Sequence, residues 1–404
     1  MNVRSILLTA AMLAVCASAF PSQLGAIPAF ARKYNVSCTT CHSIAPKLKE
    51  YGEEVAGNAF NLPDAPAPAR SYVDAGDDLL MLHRFFPIAV RFDAYAQYAE
   101  RDRGKWDMQM PYGVKLLSGG PISEHLGYYM YFYMNERGEV AGLEDAYIHF
   151  NNIFGSDLDI MAGQFQVCDP LFKRELRLTL EDYEVYRMRP GSSQASLTYD
   201  RGLMVTYGFD FGLDLVAQLV NGNGIPAAEN RVFDFDNGKA LAFRASQSIG
   251  PVRVGGFVYQ GNEHFEVEYS DIMGMSRIGH EENTTLIYGP DLSIGNEHIE
   301  LNAQYLLRED SDMPLIIPDA YITEKANMNG LLLEVVYLPE ADRSLWSFVG
   351  LYNRVENEYT KELYHTATFS AGRLLARNFR LVGEVTYDLE RERAKLSFGL
   401  ITAF

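Results

Sequence analysis

The sequence contains few of the residues that mark several common protein classes. Its 404 residues include two tryptophans and four cysteines, and 35 lysines and arginines are outnumbered by 53 aspartates and glutamates. The formal net charge of −18 argues against nucleic acid or another polyanion as a partner. Four cysteines in so long a chain do not form the dense disulfide framework of a small secreted domain.

Long apolar runs are also missing, except near the start. Arg4 precedes the apolar stretch from Ile6 to Val15, and Ala17-Ser18-Ala19 offers a cleavage site of small residues. This pattern predicts a signal peptide over residues 1–19. After residue 25 no apolar stretch reaches the length of a transmembrane helix. The mature protein is therefore expected in the periplasm, outside the cell, or in the outer membrane as a β-barrel.

Two of the three cysteines beyond the signal peptide stand in a C-x-x-C-H motif, Cys38-Thr39-Thr40-Cys41-His42. This motif predicts attachment of one c-type haem. The two thiols would form thioethers to the haem vinyl groups, and His42 would be the proximal iron ligand. A disulfide would leave His42 unexplained, and zinc would need a second pair of ligands. The third cysteine, Cys168, is expected to be a buried or unmodified thiol.

The second axial ligand of the iron stays open at this point. No Met or His lies between residues 43 and 80, so Met81 and His83 are the first candidates. His149 is a third candidate, because the alternation of its predicted strand turns it toward the barrel lumen. We favour Met81. A Met ligand would raise the reduction potential, and a second His would lower it.

The chain divides into a small N-terminal module and a large β-rich part. Residues 20–63 are expected to form the haem module, with one short helix over Lys47–Ala59 whose apolar face holds Leu48, Tyr51 and Val55. Prolines at every second or third position from 63 to 68 predict a linker, which we place at residues 64–85. Residues 86–404 are expected to form the barrel.

The barrel prediction depends on period-two sequence and on the spacing of its turns. In Ile299–Tyr305 every odd position is apolar and every even one polar, as in a strand with one oily face and one wet face. Connections alternate between long and short, which is typical of outer-membrane barrels and places both barrel termini in the periplasm. The predicted strands are 86–98, 109–117, 126–135, 142–150, 157–166, 201–209, 212–221, 239–248, 251–261, 284–294, 297–308, 329–339, 344–355, 364–374, 378–389 and 393–404.

Four long loops are predicted, at 167–200, 222–238, 262–283 and 309–328. The compositions of two of them are informative. The 167–200 loop is expected to fold partly as helix and to constrict the pore. The 262–283 loop is rich in Glu and His. It is expected either to attract Fe(II) or another cation, or to be a solvated loop of like charges.

The start of the module resembles a known family. Ala26-Ile27-Pro28-Ala29-Phe30-Ala31-Arg32-Lys33-Tyr34, the haem motif, Pro46 and Tyr51-Gly52 are similar to the opening of fused cytochrome–porins. The terminal Phe404 likewise resembles the C-terminal signature of outer-membrane barrels. The resemblance implies one N-terminal haem c, bound through Cys38, Cys41 and His42, followed by a barrel of about sixteen strands.

The expected fold is thus an all-β membrane barrel of about 16 antiparallel strands with a small α-helical haem module. The expected function is electron transfer between periplasmic cytochromes and extracellular Fe(II), Fe(III) or mineral, in a protein held by outer-membrane lipid. With Fe(II) as donor, the protein would be an Fe(II)–cytochrome oxidoreductase. The alternative is a solute porin whose haem module only gates or anchors the pore.

Overall fold

The computed structural model describes residues 29–63, 72–73, 76, 82–83, 87–101, 105–235, 238–270, 272–376 and 378–404. The predicted signal peptide, the proline-spaced stretch from 64 to 70, and Met81 lie outside these residues. Within the predicted linker, Tyr72–Val73 pairs with Leu82–His83 as a short antiparallel ladder.

The N-terminal module (residues 29–63) contains two short helices, α1 (Ala29–Tyr34) and α2 (Glu50–Gly57), with a 3₁₀ turn at Cys38–Thr40 between them. Helix α2 confirms the helix predicted there, but it is shorter. The extended backbone of Lys49 (φ −102°, ψ 172°) delays its start, and Asn58 leaves the helical region at its end. Val55 is buried, as predicted. In the part of the chain that the structure describes, no helix is long and apolar enough to cross a membrane.

Sixteen antiparallel strands form one closed barrel, and every predicted strand is present. The last strand pairs with the first, from Lys395 opposite Ala99 to Ala403 opposite Arg91, so the barrel has no open edge. The strands are β1 (Ile88–Ala99), β2 (Trp106–Ser123), β3 (Leu126–Glu136), β4 (Gly142–Ile153), β5 (Leu158–Gln166), β6 (Tyr199–Gly208), β7 (Leu213–Val220), β8 (Ala240–Ile249), β9 (Val252–Ser270), β10 (Ser276–Gly295), β11 (Ile299–Ile317), β12 (Ala320–Tyr337), β13 (Trp346–Asn357), β14 (Glu362–Ala376), β15 (Phe379–Asp388) and β16 (Arg393–Ala403).

The barrel wall is apolar outside and mostly polar inside. On β12, Leu333 and Val335 are exposed on the outer face, whereas Glu334 between them is buried. The inner face of β14 and β15 continues the polar lining with Thr368, Ser370, Glu384 and Thr386. This reverses the pattern of a soluble protein and is typical of a barrel that faces lipid.

Aromatic side chains form part of a girdle near one end of the outer surface. Trp346 stacks on Phe348 with ring centroids 5.9 Å apart, and Phe348 continues to Tyr337 and Phe369 at 6.3 Å each. Such girdles mark the boundary between hydrocarbon and water in membrane barrels.

The connections distinguish the two ends of the barrel. One end, here called the short-turn end, carries the turns 124–125, 154–157, 209–212, 250–251, 296–298, 338–345 and 377–378, together with both barrel termini. The opposite, long-loop end carries the two longest connections, 167–198 and 221–239.

Two of the predicted long loops were wrong. Strands β9 and β10 continue through most of 262–283 and are joined by a turn that includes 272–275, and β11 and β12 continue through 309–328 to a turn at 318–319. These segments are highly charged but keep the period-two alternation of strands. Phe265 and Val267 point inward and are buried with Met313 and Ala326, whereas His264 and Glu266 face outward. The many charges made these strands look like loops.

Candidate haem site at the barrel mouth

The C-x-x-C-H motif forms one tight turn that brings Cys38, Cys41 and His42 together. The Cys38–Thr40 turn is capped by Ser37, whose Oγ accepts from the Thr39 amide at 3.4 Å. The His42 amide donates to the Cys38 carbonyl at 2.9 Å, and this hydrogen bond joins the two ends of the motif. Cys38 and Cys41 are both half-buried thiols. Burial raises the pKa of the Cys41 thiol.

His42 is held in the form that can bind iron. Its Nδ1 lies 3.0 Å from the Pro46 carbonyl oxygen. Because a carbonyl oxygen can only accept, Nδ1 carries the proton and Nε2 keeps the lone pair that a metal needs. Burial also lowers the pKa of the His42 imidazole, which favours the neutral ring. Two thiols on one turn beside an oriented neutral imidazole fit a covalently attached haem.

Helix α2 packs directly against the motif. The Lys49 amide donates to the Cys41 carbonyl at 3.0 Å. A Cβ placed on Gly52 would lie 2.1 Å from that same carbonyl oxygen, so only glycine allows the helix to approach this closely. The sequence patterns did not single out Gly52 for this role, because its partner is a backbone atom eleven positions away.

The module is seated in the short-turn end of the barrel by polar contacts. Lys47 contacts Glu300 of β11 at 2.9 Å, and Lys49 contacts Asp342 of the 338–345 turn at 3.3 Å. On another side of the mouth, Asn58 Oδ1 accepts from Asn151 of β4 at 2.6 Å. These contacts tie the module to separate parts of the rim.

Apolar contacts complete this seat. Phe60 stacks on Tyr129 of β3 with ring centroids 5.6 Å apart. A Cβ on the neighbouring Gly127 would lie 2.7 Å from the Ala59 carbonyl oxygen, so the module touches the strand backbone itself. Ile44, two residues after His42, is buried in a cluster with Leu178, Val336, Leu338 and Val349.

The Cys38 thiol of the motif points at the barrel rim. Cys38 Sγ lies 3.8 Å from Oδ1 of Asn378, in the turn between β14 and β15. The edge of a haem attached at Cys38 would therefore start at this turn.

The lumen loop (residues 167–198) folds into the barrel, as predicted, and includes 3₁₀ turns at Arg174–Leu176 and Glu184–Arg187. Glu384 of β15 accepts from the amides of Leu180 and Glu181 at 2.7 and 2.8 Å. Arg308 of β11 donates to the Met188 carbonyl at 2.7 Å. Buried wall side chains thus hold the backbone of the loop.

The lumen loop and the module also touch each other. Lys173 of the loop forms an ion pair with Glu53 of α2. Leu178 of the loop and Ile44 of the module share one apolar cluster. Protein therefore extends continuously from the short-turn end into the lumen. Beyond the lumen loop, toward the long-loop end, an open cavity of 570 Å³ remains, with Gln97, Arg187 and Lys395 in its lining.

The structure places the three candidates for the second axial ligand differently. Met81 lies outside the described residues. His83 belongs to the short ladder at Leu82–His83, and only its backbone is described. His149 faces the lumen as predicted, is fully buried, and has Nε2 3.3 Å from Asp159. None of these positions tests the prediction that Met81 is the ligand.

The metal interpretation of the charged 262–283 segment finds no geometric support. His264 and His280 stack across β9 and β10 at 5.5 Å. Among the residues that the structure describes, however, no group of three or more His, Cys, Asp or Glu side chains is arranged to hold a metal ion.

Comparisons with known proteins identify the barrel fold. No family model and no curated protein sequence matches the chain. The anion-selective porin from Comamonas acidovorans matches with a TM-score of 0.56 at 9% identity, covering 79% of this chain and 99% of the porin. OmpTdeltaL8, a loop-deletion mutant of the Vibrio cholerae outer membrane protein OmpT, gives 0.55 at 10% identity, with 79% and 99% covered. Pseudomonas putida OprB gives 0.53 at 11% identity, with 79% and 94% covered. The chain therefore has the fold of an outer-membrane porin.

Proposed function

We propose that this chain is an outer-membrane, porin-like barrel whose pore is closed at its periplasmic end by its own haem module. The observation that carries the proposal is the seat of the module in the short-turn end, fixed by the contacts of Lys47, Lys49 and Asn58 with the rim. Short turns face the periplasm in bacterial barrels, so both barrel termini and the module belong on that side.

In this proposal Cys38 and Cys41 bind the haem covalently and His42 ligates its iron, in line with the resemblance to fused cytochrome–porins. A bound haem c supplies a one-electron redox centre. The Pro46 carbonyl orients the His42 ring, and Gly52 lets α2 brace the motif. The Lys47–Glu300 and Lys49–Asp342 ion pairs keep the module in the mouth and exclude solutes from the lumen.

Charge reversal tests the closure. The Lys47→Glu, Lys49→Glu double variant should repel the rim, free the module and raise single-channel conductance in planar bilayers above the wild-type level. Adding Glu300→Lys and Asp342→Lys should restore both attractions and return the conductance toward wild type. A wild-type protein that conducts as well as the double variant would refute closure by the module.

Covalent haem has its own test. Wild-type protein should show haem peroxidase activity at its full mass on a denaturing gel, and the Cys38→Ser, Cys41→Ser variant should show none. Cys168→Ser is the matched control and should keep the stain, because Cys168 is buried in the lumen cluster away from the motif. Loss of the wild-type colour on extraction with acidified acetone would contradict covalent attachment.

A second candidate function is electron transfer through the closed barrel, between periplasmic cytochromes and extracellular Fe(II), Fe(III) or mineral. A chain of aromatic rings favours it. Phe30 and Phe60 of the module stack at 5.1 Å, and Phe60 leads to Tyr129, Tyr131 and Tyr133 along the inner face of β3 in steps of 5.6, 6.5 and 5.2 Å. This row of aromatic rings extends from the module into the lumen.

One comparison separates the two functions. Proteoliposomes with an internal ferric acceptor should reduce it from external Fe(II) if the barrel transfers electrons, and the Cys38→Ser, Cys41→Ser variant should not. If the barrel is only a gated solute porin, electron transfer stays at the level of empty liposomes, while the Lys47→Glu, Lys49→Glu variant still conducts ions.

A further inference from the structure

Arg380 is a buried arginine that forms no ion pair with a carboxylate among the residues that the structure describes. It faces the lumen near the start of β15 and is only 4% exposed. Its Nε and Nη1 atoms are buried and have no hydrogen-bond partner within the described part of the chain. A buried guanidinium is unfavourable unless a carboxylate or a similar group pairs with it.

The anions around Arg380 are already engaged. The charged and titratable groups that face it are Arg91, Asp93 and Tyr95 of β1 and Glu384 of its own strand. Asp93 accepts from Arg91 at 2.9 Å. Glu384 accepts the two backbone amides of the lumen loop. The nearby wall therefore leaves the guanidinium available to an anion from elsewhere.

The haem attachment site is close to Arg380. Asn378, which lies 3.8 Å from Cys38 Sγ, is two residues before Arg380. Because Asn378 ends the turn directly before β15, its Cα atom and that of Arg380 are at most about 7 Å apart. A haem joined through Cys38 has its two propionates on the edge opposite to its vinyl groups, one porphyrin width from the thiols. Arg380 follows Asn378 by two residues and faces the lumen, which is the side on which a haem inserted into the barrel would present that edge.

We propose that Arg380 of the barrel wall binds a haem propionate, and that the haem therefore lies across the boundary between module and barrel. This inference rests on the proposed haem attachment and adds a binding residue outside the haem motif. Guanidinium is suited to the role because it binds a carboxylate through two parallel hydrogen bonds.

The test uses the full-length protein with Arg380→Gln and Arg380→Lys, and Arg373→Gln as control. Arg373 lies on the neighbouring strand β14 at the same end of the barrel, but it is exposed and stacks over Trp346 on the outer face. Arg373→Gln therefore removes the same charge without reaching the lumen. Heat-modified gel migration checks that each variant forms a barrel.

Arg380→Gln should lower the haem reduction potential, because a positive charge that opposes ferric iron is lost. It should also make the potential fall with rising pH near neutrality, because the released propionate titrates in that range. The propionate bending band in the resonance Raman spectrum should shift. Arg380→Lys should recover most of the potential, and Arg373→Gln should match wild type in all three measurements.

The outcomes separate this inference from the proposed function. A wild-type protein without covalent haem overturns both. If haem is attached but the potential, its pH profile and the Raman band of Arg380→Gln equal those of Arg373→Gln, the propionate contact is overturned and the haem site stands.

Discussion

At the scale of single residues, the C-x-x-C-H motif is visible in the sequence because its residues are neighbours in the chain, and its haem stays a prediction. Cys38, Cys41 and His42 lie within five positions, and one turn brings them together. The residues that hold the motif in place could not be predicted from the sequence. Pro46 acts through a backbone carbonyl, and Asn378 is 340 positions from the thiol that it contacts. Such partners depend on the tertiary fold rather than on residue type.

A pair of glycines in α2 tests how tightly the module is built. Gly52→Ala should destabilise the module by about 1–3 kcal/mol, because its methyl group would overlap the Cys41 carbonyl. Gly57→Ala meets no neighbouring atom and should stabilise it by about 0.4–1 kcal/mol. Thermal unfolding measures both, followed through the haem absorbance in the haem-loaded protein that we propose. Equal melting temperatures for the two variants would contradict the close contact of α2 with the motif.

At the scale of elements, period-two alternation predicted all sixteen strands but not their lengths. The alternation continues into 262–270 and 276–283, where the apolar positions are few and many of the exposed ones are charged. A highly charged segment is then predicted to be a loop, although charged side chains on the outward face are compatible with a strand that extends beyond the membrane. The lumen loop was predicted from its length and mixed composition. Its attachment to buried wall residues could not be, because these come from distant strands.

Glu384 provides a test of that attachment. Glu384→Ala leaves the amides of Leu180 and Glu181 without their acceptor, at a cost of about 1–3 kcal/mol for each buried amide. Hydrogen exchange at these two amides should become roughly tenfold faster or more. Glu356→Ala is the control, since Glu356 pairs with Arg354 and makes none of these loop contacts. Unchanged exchange in Glu384→Ala would show that the loop is held in another way.

At the scale of the whole molecule, the protein is a porin-fold barrel whose lumen is occupied from both ends, by the module at the short-turn end and by the lumen loop within. The sequence predicted a barrel and a module but placed a proline-spaced linker between them, so the relation of the two parts stayed open. The ion pairs Lys47–Glu300, Lys49–Asp342 and Lys173–Glu53 join parts far apart in the chain, and no pattern of residues indicates which lysine meets which carboxylate.

Zero-length carbodiimide cross-linking of the unmodified protein tests this central claim most directly, because it joins only lysines and carboxylates that touch. Mass spectrometry of the digested protein should find Lys47 linked to Glu300 and Lys49 linked to Asp342. Lys395 linked to Glu181 inside the barrel, an ion pair of 2.7 Å, is the internal positive control. If the Lys395–Glu181 link forms and neither module link does, the module does not sit in the barrel mouth.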